Sequence, residues 1–395
     1  MTSRRLNLMV VAGEPSGDAH AAELVQALRA SAQEHRELTF FGATGPLMRT
    51  AGVESVVQSD ELSILGLLEI GRALPRFWQA YSALKTAAIA RRPDAVILVD
   101  WPDFNFRLAR ALHRRGLKVI YYISPQLWAW RSHRLRSVKR DVDLLLTILP
   151  FERTWYESRG YDKVEFVGHP LAGEVHARYG REDFCRQYNL DPAASIVSLL
   201  PGSRRKELQR ILPPMLDAAN LVSRRKKAVQ FVLVVAPSRS VEEVKKTISE
   251  RADSAEFLNQ LTITQGETRE VLAASDAAAI ASGTATLEAA LLGTPMVIVY
   301  KESHINWHTL GRLITAEHYG LVNLIAGERL VAELMQDELN GERLADELMS
   351  LLEPTRNQAL RTRLKEVTAK LGDGGGSHRA AQRILAELNR PLNAS

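Results

Sequence analysis

The sequence has little cysteine and no long apolar run. Cys185 is the only cysteine among 395 residues, which excludes an intrachain disulfide and a multi-cysteine zinc site. A lone cysteine fits a reducing compartment, so we expect a cytoplasmic protein. No apolar stretch approaches the roughly 20 residues that span a bilayer, and we expect peripheral contact with a membrane at most.

Several catalytic signatures are also missing. The ten histidines show no HExxH or other paired spacing, so we predict no metal site. There is no GxSxG elbow and no Walker A loop, which argues against serine hydrolases and P-loop enzymes. What is present is a globular composition, 46% hydrophobic and 25% charged, with a net charge of +5. Nothing resembles a nucleic-acid-binding module, and we predict no nucleic-acid partner.

Short runs rich in Val, Ile and Leu alternate with helical patterns in both halves of the chain. The predicted strands are 6–12, 38–41, 95–99, 118–123, 144–148, 196–200, 230–235, 261–264, 277–281 and 295–300. Nearly continuous apolar strands are typical of parallel sheets covered by helices on both faces. The sequence therefore predicts an α/β protein with two doubly wound domains.

The domain boundaries follow from where the strand pattern stops. We predict an N-terminal domain over 1–172, a hinge over 173–194, and a second domain over 195–352. The hinge segment is rich in charge and contains Asp191-Pro192 without a strand pattern. Helical patterns over 353–395 complete the chain.

The first strand leads into the turn GEPSGD at 13–18, which offers Glu14, Ser16 and Gly17 as candidate ligand contacts. Turns between a first strand and a first helix hold ligands in α/β domains. The turn is not GxGxxG, so a dinucleotide site is not supported. A plain tight turn capped by Ser16 or Asp18 is the alternative.

Asp100 follows the strand 95–99 directly. At the carboxyl end of a central strand it is a candidate general base. Asp103, in the next turn of the chain, is a further candidate contact in the ligand cleft. Capping of the next helix by Asp100 or Asp103 is the alternative.

The segment SPQLWAWR at 124–131 presents Trp130 and Arg131 as further candidate contacts in the cleft, ahead of a basic stretch. Aromatic residues among arginines fit nucleic acid, an anionic headgroup or a sugar phosphate, and a solvated helix face is the alternative.

Two turns of the second domain suit a nucleoside diphosphate. Gly202, Ser203 and Arg204 form a turn for which we predict free backbone N–H groups and an arginine that clamps phosphate. The segment 282–288 opens a helix whose N-terminus attracts phosphate. Its candidate residues are Ser282, Gly283, Thr284 and Glu288, the last as a partner for ribose hydroxyls.

The stretch 62–78 mixes apolar residues and arginines. If exposed, it would form a patch for acyl chains or a membrane, whereas core packing is the alternative. The candidate patch residues are Leu65, Leu67, Leu68, Phe77 and Trp78.

Taken together, these motifs resemble those of the lipid-A-disaccharide synthase family, bacterial inverting glycosyltransferases of family 19. The resemblance is carried by VAGEPSGD (11–18), PDFN (102–105), SP with WAWR (124–131), LPFE (149–152), FVGH (166–169), LLPGSR (199–204), ASDA (274–277), ASGTATLE (281–288) and NLIAG (323–327). It implies a GT-B fold, with two Rossmann-like domains facing a central cleft and C-terminal helices packing back on the N-terminal domain.

The resemblance also implies a reaction of lipid A biosynthesis. UDP-2,3-diacylglucosamine would donate its sugar to the 6-hydroxyl of 2,3-diacylglucosamine 1-phosphate. Asp100 would be the base and Arg204 would lie near the UDP phosphates. Asn323 would lie near the donor, and no metal or other cofactor would be needed. The implied setting is the phospholipid surface of the inner membrane of a Gram-negative bacterium, with a homodimer as one possible state.

Two kinds of rival remain open at this point. The first is another GT-B enzyme that uses a UDP-sugar, either a UDP-N-acetylglucosamine 2-epimerase or a peptidoglycan glycosyltransferase. The second is a peripheral lipid-binding protein without catalysis. Product analysis with the diacyl acceptor separates these readings.

Overall fold

Two parallel sheets, each covered by helices, organise the chain. The structure is a computed structural model that describes residues 5–32, 37–60, 70–249, 257, 261–302 and 318–389. The chain divides into unit 1, which is Met1–Pro170 with Leu371–Ser395, and unit 2, which is Leu171–Lys370.

The sheet of unit 1 has seven parallel strands in the order β3-β2-β1-β4-β5-β6-β7. These strands are β1 (Leu6–Ala12), β2 (Leu38–Thr44), β3 (Glu54–Gln58), β4 (Ala95–Val99), β5 (Val119–Tyr122), β6 (Leu144–Thr147) and β7 (Val164–Phe166). The helices are α1 (Pro15–Ser31), α2 (Pro46–Thr50), α3 (Ile70–Arg91), α4 (Pro102–His113), α5 (Leu135–Asp141), α6 (Pro150–Glu157) and α15 (Gly376–Asn389).

The sheet of unit 2 has six parallel strands in the order β10-β9-β8-β11-β12-β13. These strands are β8 (Ser195–Leu200), β9 (Val229–Val235), β10 (Leu261–Gln265), β11 (Ala277–Ala281), β12 (Met296–Tyr300) and β13 (Glu333–Met335). The helices are α7 (Arg181–Tyr188), α8 (Arg205–Arg225), α9 (Val241–Ser249), α10 (Thr268–Ala274), α11 (Thr284–Leu291), α12 (Leu321–Ala326), α13 (Gly341–Leu351) and α14 (Pro354–Ala369).

Alternation along the strands of unit 1 builds two apolar layers. Leu8 and Val10 face a layer shared with α1 and α15, while Met9 and Val11 face a layer shared with α3 and α4. Because successive side chains of a strand point to opposite faces, a continuous apolar run fills both layers. This burial explains why the central strands are recognisable in the sequence.

Each sheet has one point where the strand order reverses. In unit 1 it lies between β1 and β4, where Ala12 pairs with Val99, and in unit 2 between β8 and β11, where Leu200 pairs with Ile280. Ligands of doubly wound sheets bind outside the carboxyl ends of the strands at such a switch point. The turn at Gly13, Asp100, the turn at Gly202 and Ser282 all follow these four strands.

The structure differs from the predicted boundaries in two places. The segment predicted as a hinge, 173–194, contains α7, whose Phe184 and Cys185 pack in the core of unit 2. Of the helices predicted to pack on the first domain, α14 instead packs Leu360 and Leu364 into the core of unit 2. Only α15 joins unit 1, where Ile384 packs with α1.

Among the helices in the described ranges, none is both long enough and apolar enough to cross a membrane. Of the predicted membrane patch, Leu65, Leu67 and Leu68 lie outside the described residues. Phe77 is half-buried, 4.9 Å from Phe104 between ring centroids, and Trp78 is 49% exposed. Phe77 is therefore partly packed in the core, while Trp78 exposes a large apolar surface.

Candidate active site

Asp100 stands where β4 ends and before α4 begins. Asp100 and Trp101 both have a left-handed backbone, with φ of 47° and 48°. Burial raises the pKa of the half-buried Asp100 carboxyl, and the charge of Glu14 raises it further, against the opposing effects of the Trp101 N–H and His20. A carboxylate with a raised pKa is a stronger general base than an ordinary aspartate.

Glu14 and Asp100 are therefore neighbours at the switch point of unit 1. Glu14 is exposed and is the residue that precedes α1. Ser16 is exposed in the first turn of α1, and Gly17 is buried where an added Cβ would lie 3.7 Å from the Cβ of Ala12. The structure thus brings the GEPSGD turn beside Asp100, as the order of the strands requires.

The alternative roles in helix capping are not seen. Neither Ser16 nor Asp18 caps α1, since both lie inside that helix. Asp18 is buried and accepts hydrogen bonds from the N–H groups of Gly45, Leu47 and Met48, so it caps α2 instead. Trp101, rather than Asp100 or Asp103, occupies the N-cap position of α4, and its side chain makes no capping hydrogen bond.

Asp103 is held by two arginines. Arg131 Nη1 donates to Asp103 Oδ1 at 3.1 Å and Arg134 Nη2 at 2.5 Å. The guanidinium of Arg131 also lies 4.0 Å from the ring centroid of Trp130. The predicted pair Trp130 and Arg131 is therefore one cluster, tied to α4 through Asp103.

Helix α6 fixes the segment 124–131 from the other side. Trp128 Nε1 donates to Glu152 Oε1 at 3.1 Å, and Tyr156 Oη lies 2.8 Å from Ser124 Oγ. Glu152 Oε2 also accepts from the N–H of Leu149 at 3.0 Å. The motif LPFE contains Glu152 but assigns it no role, because only its buried contacts reveal one.

In unit 2 the turn at 201–204 is closed by a carboxylate. Glu207 Oε2 accepts the N–H groups of Ser203 and Arg204 at 3.2 and 3.1 Å. The prediction of free backbone N–H groups in this turn is therefore wrong for Ser203 and Arg204, because the Glu207 carboxylate accepts both. Gly202 has φ of 105°, and a Cβ there would lie 2.6 Å from Glu207 Oε2, so the turn requires glycine.

Arg204 itself is presented to solvent. Its side chain is 84% exposed and its Nη1 lies 3.2 Å from Glu207 Oε1. An exposed ion pair of this kind contributes little to stability. The guanidinium can therefore exchange Glu207 for an anionic ligand at small cost.

The second turn of unit 2 opens α11. Gly283 and Thr284 are exposed at the start of this eight-residue helix, where the first N–H groups have no partner within the helix. The N–H of Ser282 is already bonded to the carbonyl of Val299. Ser282 is thus held by the sheet, and the turn after it is open to an anion.

Glu288 lies one turn further along α11 and is held by an arginine. Arg269 Nε donates to Glu288 Oε1 at 3.0 Å, and Arg269 Nη1 donates to the carbonyl of Glu174 at 3.1 Å. Arg269 was not found from the sequence, since no motif marks it.

Asn323 is placed differently from the prediction of a donor contact. It is fully buried, its Nδ2 donates to the carbonyl of Val331 and to Glu333 Oε1, and its Oδ1 accepts from the N–H of Val331. Its hydrogen bonds therefore join α12 to β13 and to the segment just before β13. In this structure Asn323 supports the fold of unit 2.

Within the residues that the structure describes, no group of three or more His, Cys, Asp or Glu side chains could hold a metal ion. The switch point of unit 2 carries positive charge from the Arg204 guanidinium and partial positive charge from the N-terminus of α11.

Comparison with known proteins places these features in a family. The model described as lipid-A-disaccharide synthetase matches residues 8–386. The lipid-A-disaccharide synthase of Geobacter metallireducens is 41% identical over 98% of this chain and 99% of its own. That of Myxococcus xanthus is 41% identical over 96% of this chain and 97% of its own.

Solved structures resemble the chain in fold. A putative UDP-N-acetylglucosamine 2-epimerase from Listeria monocytogenes has a TM-score of 0.62 at 15% identity, covering 98% of this chain and 96% of its own. The calicheamicin glycosyltransferase CalG4 has a TM-score of 0.60 at 15% identity, covering 98% and 99%. The predicted class, two parallel-sheet α/β domains of GT-B type, is confirmed.

Proposed function

The chain belongs to the lipid-A-disaccharide synthase family of glycosyltransferases, and from that premise we propose the chemistry of its two switch points. The donor is UDP-2,3-diacylglucosamine and the acceptor is 2,3-diacylglucosamine 1-phosphate. The products are the β-1,6-linked disaccharide 1-phosphate of lipid A biosynthesis and UDP. The observation that carries this proposal is the identity to curated relatives over nearly the whole chain.

Asp100 acts as the base in this proposal. It takes the proton of the acceptor 6-hydroxyl while that oxygen attacks the anomeric carbon of the donor. The bond from that carbon to the UDP oxygen breaks, and UDP leaves with the electron pair. The support is the position of Asp100 at the switch point and its raised pKa.

Unit 2 takes the UDP moiety in this proposal. Arg204 and the N-terminus of α11 offset the charge that develops on the leaving diphosphate, and Glu288 accepts the ribose hydroxyls. Because these groups supply the positive charge, we propose that the reaction needs no metal ion.

The decisive assay is disaccharide formation from the two purified diacyl sugars in the presence of EDTA. We expect full turnover of the wild type. An epimerase would isomerise or release the donor sugar without an acceptor, and a lipid-binding protein would give no product. Loss of turnover in EDTA, restored by a divalent cation, would contradict the metal-free mechanism.

Asp100→Ala tests the base. We expect kcat to fall by about 10³-fold, since general-base catalysis contributes about 10²–10⁴-fold, while the affinity for UDP measured by calorimetry stays the same. Full activity of this variant would contradict the assignment and direct attention to Glu14 or Asp103.

We also propose peripheral association with the cytoplasmic face of the inner membrane, supported by the exposed Trp78. Trp78→Glu should lower the fraction bound to anionic phospholipid vesicles several-fold in a flotation assay. Leu47→Glu is the matched control, since Leu47 is equally exposed on α2 of the same unit. Equal loss in both variants, or in neither, would argue against a patch at Trp78.

The predicted homodimer is open to measurement by analytical ultracentrifugation.

A further inference from the structure

The backbone at the end of β4 is unusual. Asp100 and Trp101 are consecutive non-glycine residues with positive φ, 47° and 48°. A residue with a side chain adopts this conformation at a cost in free energy, and such residues persist only where the surroundings impose it.

The alternation of side chains along β4 shows where the side chain of Asp100 would point without the left-handed turn. Val99 faces the apolar layer of α1 and α15, whereas Leu98 faces the layer of α3 and α4. A strand that continued unchanged would aim residue 100 into the second layer, beside Phe104. The carboxyl group instead interacts with Glu14 and His20, which belong to the turn before α1 and to α1.

Two buried side chains hold this turn by donating to the carbonyl oxygen of Asp100, and one of them, Asn105, also donates to the carbonyl of Val99 at 3.3 Å. Asn105 Nδ2 donates to the Asp100 oxygen at 2.7 Å and Tyr121 Oη at 2.6 Å. Both residues are fully buried. Burial raises the pKa of Tyr121 well above its ordinary value, so its hydroxyl keeps the proton that it donates.

The Trp101 side of the turn is held by packing. Its indole stacks on Phe104, with centroids 4.1 Å apart and planes 5° apart. A Cβ at Gly13 would lie 2.0 Å from Trp101 Cδ2, so the ring lies directly against the Gly13 backbone. Glycine at position 13 therefore leaves room for the Trp101 ring beside the turn.

We propose that Asn105 and Tyr121 are positioning residues that hold the Asp100 carbonyl and so direct the Asp100 carboxylate towards Glu14 and away from the aromatic layer. This inference rests on the proposed role of Asp100 as the base. Neither side chain touches substrate; each acts through the main chain of Asp100.

The test uses the full-length chain with Tyr121→Phe and Asn105→Leu. We expect kcat to fall about 10-fold and about 100-fold respectively, in line with the sensitivity of catalysis to small misplacement. The KM values of both substrates and the affinity for UDP should stay within about twofold of the wild type, since only orientation of the base is lost.

Tyr161→Phe is the matched control. Tyr161 is also a buried tyrosine of unit 1, and its hydroxyl donates to the carbonyl of Val142 at 3.1 Å, away from Asp100. We expect it to lower the unfolding temperature as much as Tyr121→Phe does and to keep the kcat of the wild type. An equal loss of kcat in both variants would overturn the proposal, because the effect would then come from stability alone.

Two further outcomes separate the inference from the function on which it rests. A fully active Asp100→Ala variant contradicts the base and the positioning together. An inactive Asp100→Ala variant alongside normal kcat in Tyr121→Phe and Asn105→Leu contradicts the positioning alone.

A crystal structure of Asn105→Leu should show φ of Asp100 outside the left-handed region, and an unchanged turn there would also overturn the proposal. Should Asn105→Leu not fold, Tyr121→Phe, which loses one hydroxyl, carries the test.

Discussion

Three charged residues of the candidate site are each paired with an opposite charge. Glu288 is held by Arg269, Arg204 is close to Glu207, and Asp103 is held by Arg131. Exposed ion pairs add little to stability. We therefore interpret these contacts as fixing the orientation of the charged side chains. Arg269 is the most constrained, because it also binds the carbonyl of Glu174 and so fixes the direction of the Glu288 carboxylate.

Arg269→Gln should therefore weaken UDP binding although Arg269 is not proposed to touch UDP. We expect the dissociation constant to rise about 10-fold, comparable to the loss of one charged hydrogen bond, and Glu288→Gln to give a similar rise. The double variant should be no worse than either single one, because both remove one arrangement. The measurement is titration calorimetry with UDP.

Arg178→Gln is the control for this prediction, since Arg178 forms a similar pair with Glu270 at 2.7 Å, likewise in unit 2. It should leave UDP binding unchanged. Additive losses in the Arg269 and Glu288 variants would show that the two residues act separately.

Residue types at a strand end indicate a site, but they do not distinguish a ligand contact from a structural one. Asp100 and Glu14 could be proposed from the sequence because each follows a central strand. Asp18 and Asn323 could not be separated from them, since their partners, Gly45 and Glu333, are fixed only when the chain folds. Arg269 could not be proposed for the same reason, because no motif marks it and its partner Glu288 is fixed only when the chain folds.

At the scale of elements, α6 joins two loops of unit 1. Its Glu152 binds Trp128 of the loop after β5 and the N–H of Leu149 at its own start. Glu152 is buried, and burial raises its pKa to about 7 although these hydrogen bonds oppose the rise. The protonation of one side chain is thus linked to how α6 holds the segment 124–131.

This linkage predicts a pH dependence of stability. The ordinary pKa of 4.5 applies in the unfolded chain, against about 7 in the folded one. Between these values the folded state keeps a proton that the unfolded state has released, so the free energy of unfolding falls as pH rises. The loss is complete above about pH 7 and amounts to about 3 kcal/mol at most.

Urea unfolding at pH 5 and pH 8 measures this difference. Glu152→Gln should lose the part of the slope that belongs to Glu152, because it has no proton to release in this range. Glu157→Gln is the control, since Glu157 is exposed on the same helix. A wild-type slope in Glu152→Gln would show that Glu152 titrates alike in both states.

The central strands could be predicted from the sequence, and three edge strands could not. Strands such as β4 and β11 are buried on every residue, which gives continuous apolar runs. The missed strands β3, β7 and β13 are short and partly exposed, and each of them contains a glutamate. Their pairing is decided by neighbours in the sheet, which a local pattern does not contain.

At the scale of the whole molecule, the chain enters unit 2 after Pro170 and leaves it after Lys370. An amphipathic pattern predicts that a helix buries one face, but it does not say in which unit. That is why the segment 353–395 was predicted as one set of helices, although α14 belongs to unit 2 and α15 to unit 1.

Helix α15 is integral to unit 1. It buries Ala380, Ala381, Ile384, Leu385 and Leu388 in the layer that it shares with α1. Arg379 Nε donates to the carbonyl of Val167 at 2.7 Å, and Arg383 Nε donates to Glu165 at 2.6 Å. Helix α15 thus covers one face of the sheet that contains β1.

Truncation after Lys370 should therefore unfold unit 1 and spare unit 2. The lost apolar burial is worth on the order of 5–10 kcal/mol, which is comparable to the whole stability of a domain. We expect rapid proteolysis within residues 1–170, no disaccharide formation, and UDP binding close to that of the full chain. Truncation after Asn389 keeps α15 and should behave like the full chain. A truncated protein that still forms the disaccharide would show that unit 1 folds without its last helix, because the acceptor chemistry assigned to Asp100 needs an intact β4.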